Sequence, residues 1–333
     1  MVQITEAPTR ADFRTAAEKG LEFLATQFDE HGAHRTSPQD PSVHYKLVYV
    51  FAYGDRRELS LRVLEHMQRT HLAPDGSFRD PALNAPGSSF LYQSGWLAWG
   101  AAALGRFDLA RRVARRAVEQ QDAKWGGFWN EIDVGRVQWL LNSSSAGAGC
   151  AAAGEIEAAE HSARHLARLL DRQPEPDHGF YFSLGADGEV VTALGDEPTR
   201  NFFDFDSWAR PAMFATAIAG LAWLARQTLN QSYTDLARRY CGVILAHRGN
   251  PERMQFASKT GWAMLQVHAN SPDPSLDAYA QGVGRRLLEL QSDDGSIDLS
   301  GWPGLEAGTP PALALPSTCD WTLTAIALAN GAD

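Results

Sequence analysis

The sequence predicts an all-α protein built as a closed ring, or (α/α)6 toroid, of six helical hairpins. First, a two-helix unit at residues 92–130 is repeated more weakly at 45–78 and 258–297; two helices per repeat of roughly 40–60 residues are typical of stacked hairpins. Second, apolar helices alternate with amphipathic ones. Third, the first helix is amphipathic and the last is apolar, so the two can pair and close the ring.

The amphipathic helices are predicted to form the outer layer of the ring. Each has apolar residues at the helical spacing that places them on one face. The opposite faces are rich in charged residues, as expected for a solvated surface. These helices are predicted at 10–28, 56–72, the second half of 92–130, 155–173, 233–248 and 276–291.

The inner layer is predicted from helices that are apolar on most sides, a pattern that indicates burial all round. The third of them contains a run of Ser, Gly and Ala at 143–154, which we expect to leave space in the lumen. The inner helices are predicted at 42–54, the first half of 92–130, 137–154, 208–230, 258–269 and 317–330.

The connections between helices differ in length. Turns from an inner to an outer helix are short, whereas connections from an outer helix to the next inner helix are long and lie on one rim of the ring. In one long connection, residues alternate in a strand-like pattern around Asp187-Gly188, so we expect an inserted β-hairpin near residues 179–195. Because long loops on a rigid scaffold often carry function, the site is predicted at this rim, within a single domain of residues 1–333.

Composition limits the classes of partner. The chain has 30 Lys and Arg against 40 Asp and Glu, a formal charge of −10, which disfavours nucleic acid. Three cysteines without CxxC or Cys/His spacing predict neither a disulfide framework nor a metal site. No phosphate loop or dinucleotide motif implies a cofactor. We expect a cytoplasmic protein with no membrane span; the sequence leaves its oligomeric state open.

Three loops resemble those of a known family. They are QQDAKWGGFW at 120–129, LAPDGSF at 72–78 and LQSDDGSI at 290–297, similar to the Gln/Asp-Gly-aromatic repeat loops of squalene-hopene-cyclase-like proteins. The chain thus resembles the terpenoid cyclase/protein prenyltransferase α/α-toroid superfamily in a single-barrel bacterial form, which implies the ring fold. It differs at 204–207, where Asp-Phe-Asp-Ser stands in place of the Asp-x-Asp-Asp with which class II terpene cyclases protonate an alkene.

Three residues near the starts of inner helices are the candidates for catalysis. Asp320 lies inside an otherwise apolar helix and Asp206 precedes another; a desolvated carboxyl group has a raised pKa and can act as a general acid. His44, before the first inner helix, is the candidate base. Each has a structural alternative, since Asp206 can cap a helix and His44 can be a hydrogen-bonded core histidine.

Further residues at the same rim are predicted to contact the substrate. Among them, Lys259 can instead pair with a buried carboxylate, Asp204 can be an exposed loop residue, and the tryptophans can fill the core. Histidines on outer helices or loops, namely His31, His71, His178 and His247, are expected to be solvated. The predicted substrate-binding residues are Tyr45, Tyr92, Asn142, Asp204, Trp208, Lys259 and Trp262.

These features predict a cofactor-independent enzyme of cyclase, isomerase or dehydratase type in a natural-product pathway. It would bind a hydrophobic polyketide or terpenoid in the lumen and use acid–base chemistry without a metal. One alternative is a carbohydrate hydrolase or lyase, which requires two facing carboxyl groups. The other is a non-catalytic binding protein for a small molecule or peptide, with no buried titratable group in the lumen.

Overall fold

The computed structural model describes residues 7–84, 90–132, 135–193, 201–207, 210–300 and 311–331, with residues 302, 305 and 309. In these ranges the chain is mostly helical, and no described helix has the length and apolarity needed to cross a bilayer. The helices are α1 (Arg10–Thr26), α2 (Tyr45–Tyr53), α3 (Arg57–Thr70), α4 (Pro81–Asn84), α5 (Phe90–Ala103), α6 (Phe107–Val118), α7 (Leu140–Ala153), α8 (Ile156–Asp171), α9 (Ala215–Thr228), α10 (Gln231–Leu245), α11 (Thr260–Asn270), α12 (Pro274–Leu290) and α13 (Pro311–Asn330).

The helices form two concentric layers. Neighbouring inner helices contact each other around a complete circuit of α2, α5, α7, α9, α11 and α13, and α13 in turn contacts α2. Outer helices α3, α6, α8, α10 and α12 each pack on the inner helix that precedes them, and α1 packs on α13. The sixth hairpin therefore consists of the first and last helices, which confirms the predicted (α/α)6 ring.

Local sequence signals fix where the outer helices begin. Thr9 and Asp12 form a capping box at the start of α1, in which each side chain accepts the other's backbone N–H. Asp273 caps α12 by accepting the N–H of Ser275, and Pro274 follows at the first helical position. Proline is favoured there because its missing N–H would have no helical partner.

The same loop follows four of the outer helices. A single antiparallel bridge brackets a turn at 28–34, 72–78, 121–128 and 291–297. Inside each turn, an aspartate carboxylate accepts a backbone N–H two residues further on, as Asp75 does from Ser77 at 3.0 Å. A glycine then adopts a left-handed conformation, with φ of +91° at Gly76 and +89° at Gly295. The repeat loops predicted from the sequence share one geometry.

These glycines also join each unit to the next. A Cβ atom at Gly76 would lie 2.7 Å from the carbonyl oxygen of Arg112 in α6. A Cβ atom at Gly295, after α12, would lie 2.1 Å from the carbonyl oxygen of Lys19 in α1. Only glycine allows such close contact. The glycine contact that joins the loop after α3 to α6 also joins the loop after α12 to α1, and so closes the outer layer of helices.

Small residues in α7 bring inner helices together. A Cβ atom at Gly95 of α5 would lie 2.1 Å from the carbonyl oxygen of Ser145 in α7, and one at Gly149 would lie 2.7 Å from the carbonyl oxygen of Gly95. The two backbones are therefore in contact. The expectation that the run at 143–154 leaves the lumen open is wrong, because its small side chains allow close helix packing.

The described loops contain short strands: β1 (Trp129–Ile132), β2 (Gly135–Trp139), β3 (Gly179–Tyr181), β4 (Ser183–Leu184) and β5 (Phe202–Asp204). β2 pairs antiparallel with β1 and β4, and β3 pairs antiparallel with β5. The hairpin predicted near 179–195 is present in shorter form, closed by a bridge between Leu184 and Val190. β3 is not part of it, and residues 194 and 195 lie outside the described ranges.

Candidate functional site

A charged cluster lies where α2 and α11 begin, beside the middle of α13. Asp320 of α13 accepts a hydrogen bond from Lys46 of α2 at 2.7 Å and another from Lys259, just before α11, at 2.8 Å. The side chains of Lys46, Lys259 and Asp320 are 9%, 5% and 13% exposed. We call these three residues the lysine–aspartate cluster. With two ammonium groups and one carboxylate, it has an excess positive charge.

The charges in this cluster set the protonation of its members. Burial alone would raise the pKa of Asp320, but the ammonium groups of Lys259 and Lys46 hold it below its usual value. Burial acts against the charge of Lys46 as well, and Asp320 reverses that effect, so the pKa of Lys46 is raised well above its usual value. Asp320 is therefore an ionised carboxylate and differs from the protonated general acid predicted, because desolvation favours the neutral form only without a counter-charge.

Two tyrosines border the lysine–aspartate cluster. The hydroxyl of Tyr92 in α5 lies 3.5 Å from Nζ of Lys259, and the centre of its ring lies 5.6 Å from Nζ of Lys46, within the range of a cation–π contact. The ring of Tyr45 packs edge-on against that of Tyr92 at 5.8 Å. Burial raises the pKa of Tyr45 above its ordinary value. Four of the predicted site residues, Tyr45, Tyr92, Lys259 and Asp320, are thus brought together.

Beneath the cluster the lumen is filled by aromatic side chains. The ring of Trp96 lies 5.6 Å from Nζ of Lys46 and 5.7 Å from the ring of Trp262. These two residues belong to α5 and α11, which face each other across the ring, and Tyr49 and Trp99 complete the group. We call these four residues the aromatic plug. The open apolar lumen expected from the sequence is absent at this level, since large rings from opposite helices meet there.

A cleft opens beside the cluster. It has a volume of about 220 Å³ and lies between the start of α2 and the first half of α13. Tyr45 and Lys46 form part of its wall, so the cleft extends to the lysine–aspartate cluster. The other lining residues are Ser42, Val43, Leu47, Leu315, Pro316 and Cys319.

The structure places the second predicted acid elsewhere. Asp206 is 53% exposed and pairs with Arg248, and Asp204 accepts the N–H of Asp206 at 2.8 Å. That hydrogen bond lowers the pKa of Asp204. α9 begins only at Ala215, so Asp206 does not cap it. A half-exposed, ion-paired carboxylate lacks the desolvation that the predicted general acid needs.

His44 is also placed differently from the predicted base. Its Nδ1–H donates to the carbonyl oxygen of Asp40 at 2.8 Å, and its Nε2 accepts the N–H of His34 at 3.1 Å. Burial lowers the pKa of His44 to about 3. Both ring nitrogens are occupied, so the structure favours the alternative of a hydrogen-bonded core histidine. Its ring stacks on that of His66 at 4.9 Å.

The remaining predicted residues have varied positions. Asn142 is buried at the start of α7, and Trp262 is part of the aromatic plug; Trp208 lies outside the described residues. His31 and His178 are exposed as expected. His71 and His247 are buried instead of solvated, at 6% and 7% exposure. His71 packs against the rings of His44 and His66, and His247 packs against Phe203 and hydrogen-bonds to the carbonyl oxygen of Ser207.

Lys46 was not predicted, although its signal is present in the sequence. It is the only charged residue of the segment YKLVYVFAY, which forms α2. A lone charge in a helix that is apolar on most sides implies a buried partner of opposite charge. The same argument is the reason that Asp320 and Lys259, each a charge beside or within an apolar helix, are predicted site residues. His66 was missed as well, because it lies on an amphipathic helix where histidine is ordinarily solvated.

No family model and no curated protein matches the sequence, but solved structures match the fold. A GH76 alpha-mannanase from Bacteroides thetaiotaomicron has a TM-score of 0.65 and 12% identity, over 96% of this chain and 96% of its own. An unsaturated glucuronyl hydrolase specific for heparin has a TM-score of 0.65 and 13% identity, over 94% of this chain and 95% of its own. A D-mannose isomerase has a TM-score of 0.66 and 9% identity, over 99% of this chain and 100% of its own. At such identities the likeness shows the ring fold alone.

These findings overturn the function predicted from the sequence. These three structures, among those that match, are carbohydrate enzymes, and none of the three is a terpenoid cyclase. The aromatic plug stands where a hydrophobic substrate was expected, and Asp320 is ion-paired instead of protonated. The prediction of a cyclase for a polyketide or terpenoid is therefore wrong. The resemblance to squalene-hopene-cyclase-like loops extends to the ring fold and no further.

Proposed function

We propose that the protein is an enzyme that acts on a small carbohydrate and moves a proton next to its carbonyl group, as in isomerisation or epimerisation. The observation that carries the proposal is the lysine–aspartate cluster, with the Tyr92 hydroxyl beside it. The fold is compatible, since a D-mannose isomerase has the same ring. Fold does not fix function, so the argument rests on the cluster.

The charge of the cluster suits an oxygen that becomes negative. Lys46 and Lys259 bring two ammonium groups to one carboxylate, and all three side chains are nearly buried. In such a place a fixed positive charge stabilises an anion far more strongly than in water. An enediolate formed from a sugar, or the carboxylate of a sugar acid, would complete the charge balance.

The cluster is less suited to cleaving a glycosidic bond. Most glycosidases use two carboxyl groups, one of which is protonated and serves as the acid. Within the described residues, Asp320 is the one carboxylate that pairs with the two lysines, and they keep it ionised. The described part of the cluster therefore does not supply the acid–base pair of a hydrolase.

The residues divide the reaction between them. The Tyr92 oxygen, 3.5 Å from Nζ of Lys259, passes its own proton to solvent water and removes the proton from the carbon beside the carbonyl group, and the electron pair of that C–H bond forms a C=C bond. The carbonyl oxygen becomes an oxyanion, which Lys46 and Lys259 stabilise. A water molecule that gives a proton to the other face of the same carbon, while Tyr92 releases its proton to solvent, produces an epimer. Return of the Tyr92 proton to the neighbouring carbon, with a proton exchanged between the two oxygens, gives an isomer. Asp320 is a positioning residue for both lysines.

The cleft limits the size of the substrate. Its volume of about 220 Å³ is below the roughly 300–1,000 Å³ of pockets for drug-sized ligands. A monosaccharide is therefore favoured over a polysaccharide chain. The polar walls at Ser42 and Lys46, opposite the apolar Leu315 and Pro316, match the mixed surface of a sugar ring.

Proton transfer can be tested without knowing the product. The protein is incubated in D₂O with panels of aldoses, ketoses and uronic acids, and ¹H NMR follows deuterium incorporation beside the carbonyl group. We expect incorporation with at least one monosaccharide, and a fall of about 100-fold or more in Tyr92→Phe, the usual cost of losing a general acid–base group. The matched control is Tyr233→Phe, whose hydroxyl donates to Glu160 on the outer layer at 3.0 Å.

Three outcomes would contradict all or part of the proposal. Release of reducing ends from oligosaccharides without deuterium exchange would indicate a hydrolase. Absence of exchange with every sugar, in a protein whose circular dichroism and unfolding are those of a folded ring, would remove the assignment. Equal rates in Tyr92→Phe and Tyr233→Phe would leave Tyr92 without its role.

A further inference from the structure

Three buried histidines form a second cluster, on the other side of α2. His44 precedes α2, His66 lies in α3 and His71 follows α3. Each can offer a ring nitrogen such that the three atoms all lie within 4.8 Å of one another. The rings are 4.9 to 5.4 Å apart. We call these residues the histidine cluster; neither the proposed reaction nor the lysine–aspartate cluster uses them.

Backbone carbonyl groups already orient two of the rings. Nδ1–H of His44 donates to Asp40 O at 2.8 Å, and Nε2–H of His66 donates to Pro38 O at 3.0 Å. Histidines that bind metals characteristically donate their other N–H to a carbonyl or carboxylate, which fixes the tautomer. The nitrogens left with lone pairs are Nε2 of His44 and Nδ1 of His66. The former meets the N–H of His34 at 3.1 Å, the contact that a metal would replace.

The third histidine has an unsatisfied nitrogen. His71 is 6% exposed, and its Nε2 is buried without a hydrogen-bond partner among the described residues. An unpaired buried polar atom costs about 1–3 kcal/mol and calls for a partner. A metal ion placed between the three imidazoles, whose ligating atoms lie within 4.8 Å of one another, is a partner that all three can share.

A carboxylate lies near the imidazoles. Asp40 acts on both His34 and His71 through space. That charge would offset part of the cost of burying a cation.

We propose that His44, His66 and His71 bind a divalent transition-metal ion, with zinc as the natural occupant, at a site that ties the loop before α2 to α3. Imidazole nitrogens suit Zn²⁺, Ni²⁺ and Cu²⁺, and zinc bonds nitrogen at about 2.0–2.1 Å in a tetrahedral arrangement. Ring rotations that bring the nitrogens from within 4.8 Å of one another to the roughly 3.3 Å that this Zn–N distance and a tetrahedral angle require would produce that arrangement. A water molecule takes the fourth position.

Binding is measured on protein made without a polyhistidine tag and stripped with a chelator. The full chain is incubated with Zn²⁺ and gel-filtered, and metal is counted by mass spectrometry. In parallel, Co²⁺ is titrated and its visible absorption recorded. We expect one equivalent of zinc per chain, an intense tetrahedral Co²⁺ spectrum, and a rise in melting temperature on metal addition.

Variants locate the site. His66→Gln and His71→Gln should each lose more than the 10–100-fold in affinity that loss of a ligand-orienting group costs. The matched control His178→Gln, an exposed histidine far from the cluster in sequence, should bind like the wild type. Less than one equivalent in the wild-type protein, or a weak octahedral Co²⁺ spectrum, would overturn the proposal whether or not the variants fold. Equal affinity in the folded His66→Gln variant and the control would also overturn it.

Discussion

The start of α2 separates two buried polar clusters that handle charge in opposite ways. Lys46 enters the lysine–aspartate cluster and His44, two residues earlier, enters the histidine cluster. Two residues correspond to roughly 200° around a helix, so the side chains point to different sides. One cluster keeps its charges and pairs them, whereas the other, without a metal ion, consists of neutral imidazoles held by hydrogen bonds to backbone carbonyl groups.

This contrast shows two solutions to one energetic problem. A buried charge needs a counter-charge within hydrogen-bonding distance, and Asp320 has two. A buried titratable group without a counter-charge becomes neutral, as His44 does with a pKa of about 3. The residue type decides which solution is available, because lysine has no acceptor nitrogen when protonated and histidine can donate and accept at once.

The largest effect is expected on removing the counter-charge. Asp320→Asn leaves two nearly buried ammonium groups without compensation and should destabilise the protein by about 3–5 kcal/mol. Urea unfolding followed by circular dichroism measures the change. A loss below about 1 kcal/mol would mean that solvent, and not Asp320, compensates the lysines.

The second prediction separates the clusters by pH. The folded-state pKa of His44, about 3, is below its ordinary value of 6.5, so between these values the unfolded chain binds a proton that the folded chain does not. The contribution of His44 to the free energy of unfolding is therefore fully present above about pH 6.5. It falls towards pH 3 by up to about 1.4 kcal/mol per pH unit for each such histidine. His165, also at about 3, adds to the slope.

Unfolding free energies of the chelator-stripped protein, measured from pH 7 to 4, test this slope. The lysine–aspartate cluster should contribute nothing in that window, because the lowered pKa of Asp320 makes its contribution disappear only at more acidic pH. His44→Gln should flatten the profile between pH 4 and 6.5 relative to the wild type. A profile unchanged by this substitution would show that His44 is not the group that titrates.

A smaller effect is expected at Lys46. Lys46→Met leaves Asp320 paired with Lys259, so no charge is left unpaired, and the lost attraction is offset by the lysine that no longer needs desolvation. We expect a change within about 1 kcal/mol in the unfolding free energy, yet a clear loss of exchange activity. If stability fell as far as in Asp320→Asn, the two lysines would both be needed structurally.

The smallest effect is expected at Asp206, which pairs with Arg248 at the surface with about half of each side chain exposed. Such pairs contribute about 0–1 kcal/mol, so Asp206→Asn should unfold at nearly the wild-type urea concentration. It should also retain activity. Inactivation of this variant would instead restore Asp206 as a site residue.

The ring was predictable because it is encoded in repeated local patterns. Amphipathic and apolar helices alternate, and the Asp-Gly loops recur with the same geometry. The pairing of Lys259 with a buried carboxylate was also predicted as an alternative, and Asp320 is that carboxylate. Both follow from the rule that a charge inside an apolar helix needs a partner.

The filling of the lumen was not predictable. Trp96 and Trp262 meet across the ring from helices far apart in sequence, and sequence patterns indicate burial without saying which buried rings touch. The histidine cluster escaped for a related reason. His66 and His71 lie at positions where histidine is ordinarily exposed, and only the fold of the loop before α2 brings His44 to them.

The pairing of α1 with α13 has a consequence for biosynthesis. As the chain emerges from a ribosome, α1 has no inner helix to pack on until α13 has been translated. Asp320 arrives on that late helix, so Lys46 and Lys259 face each other without an anion until then. Ring closure and neutralisation of the two ammonium groups therefore coincide. Until Asp320 is in place, repulsion between Lys46 and Lys259 disfavours a compact but incomplete ring.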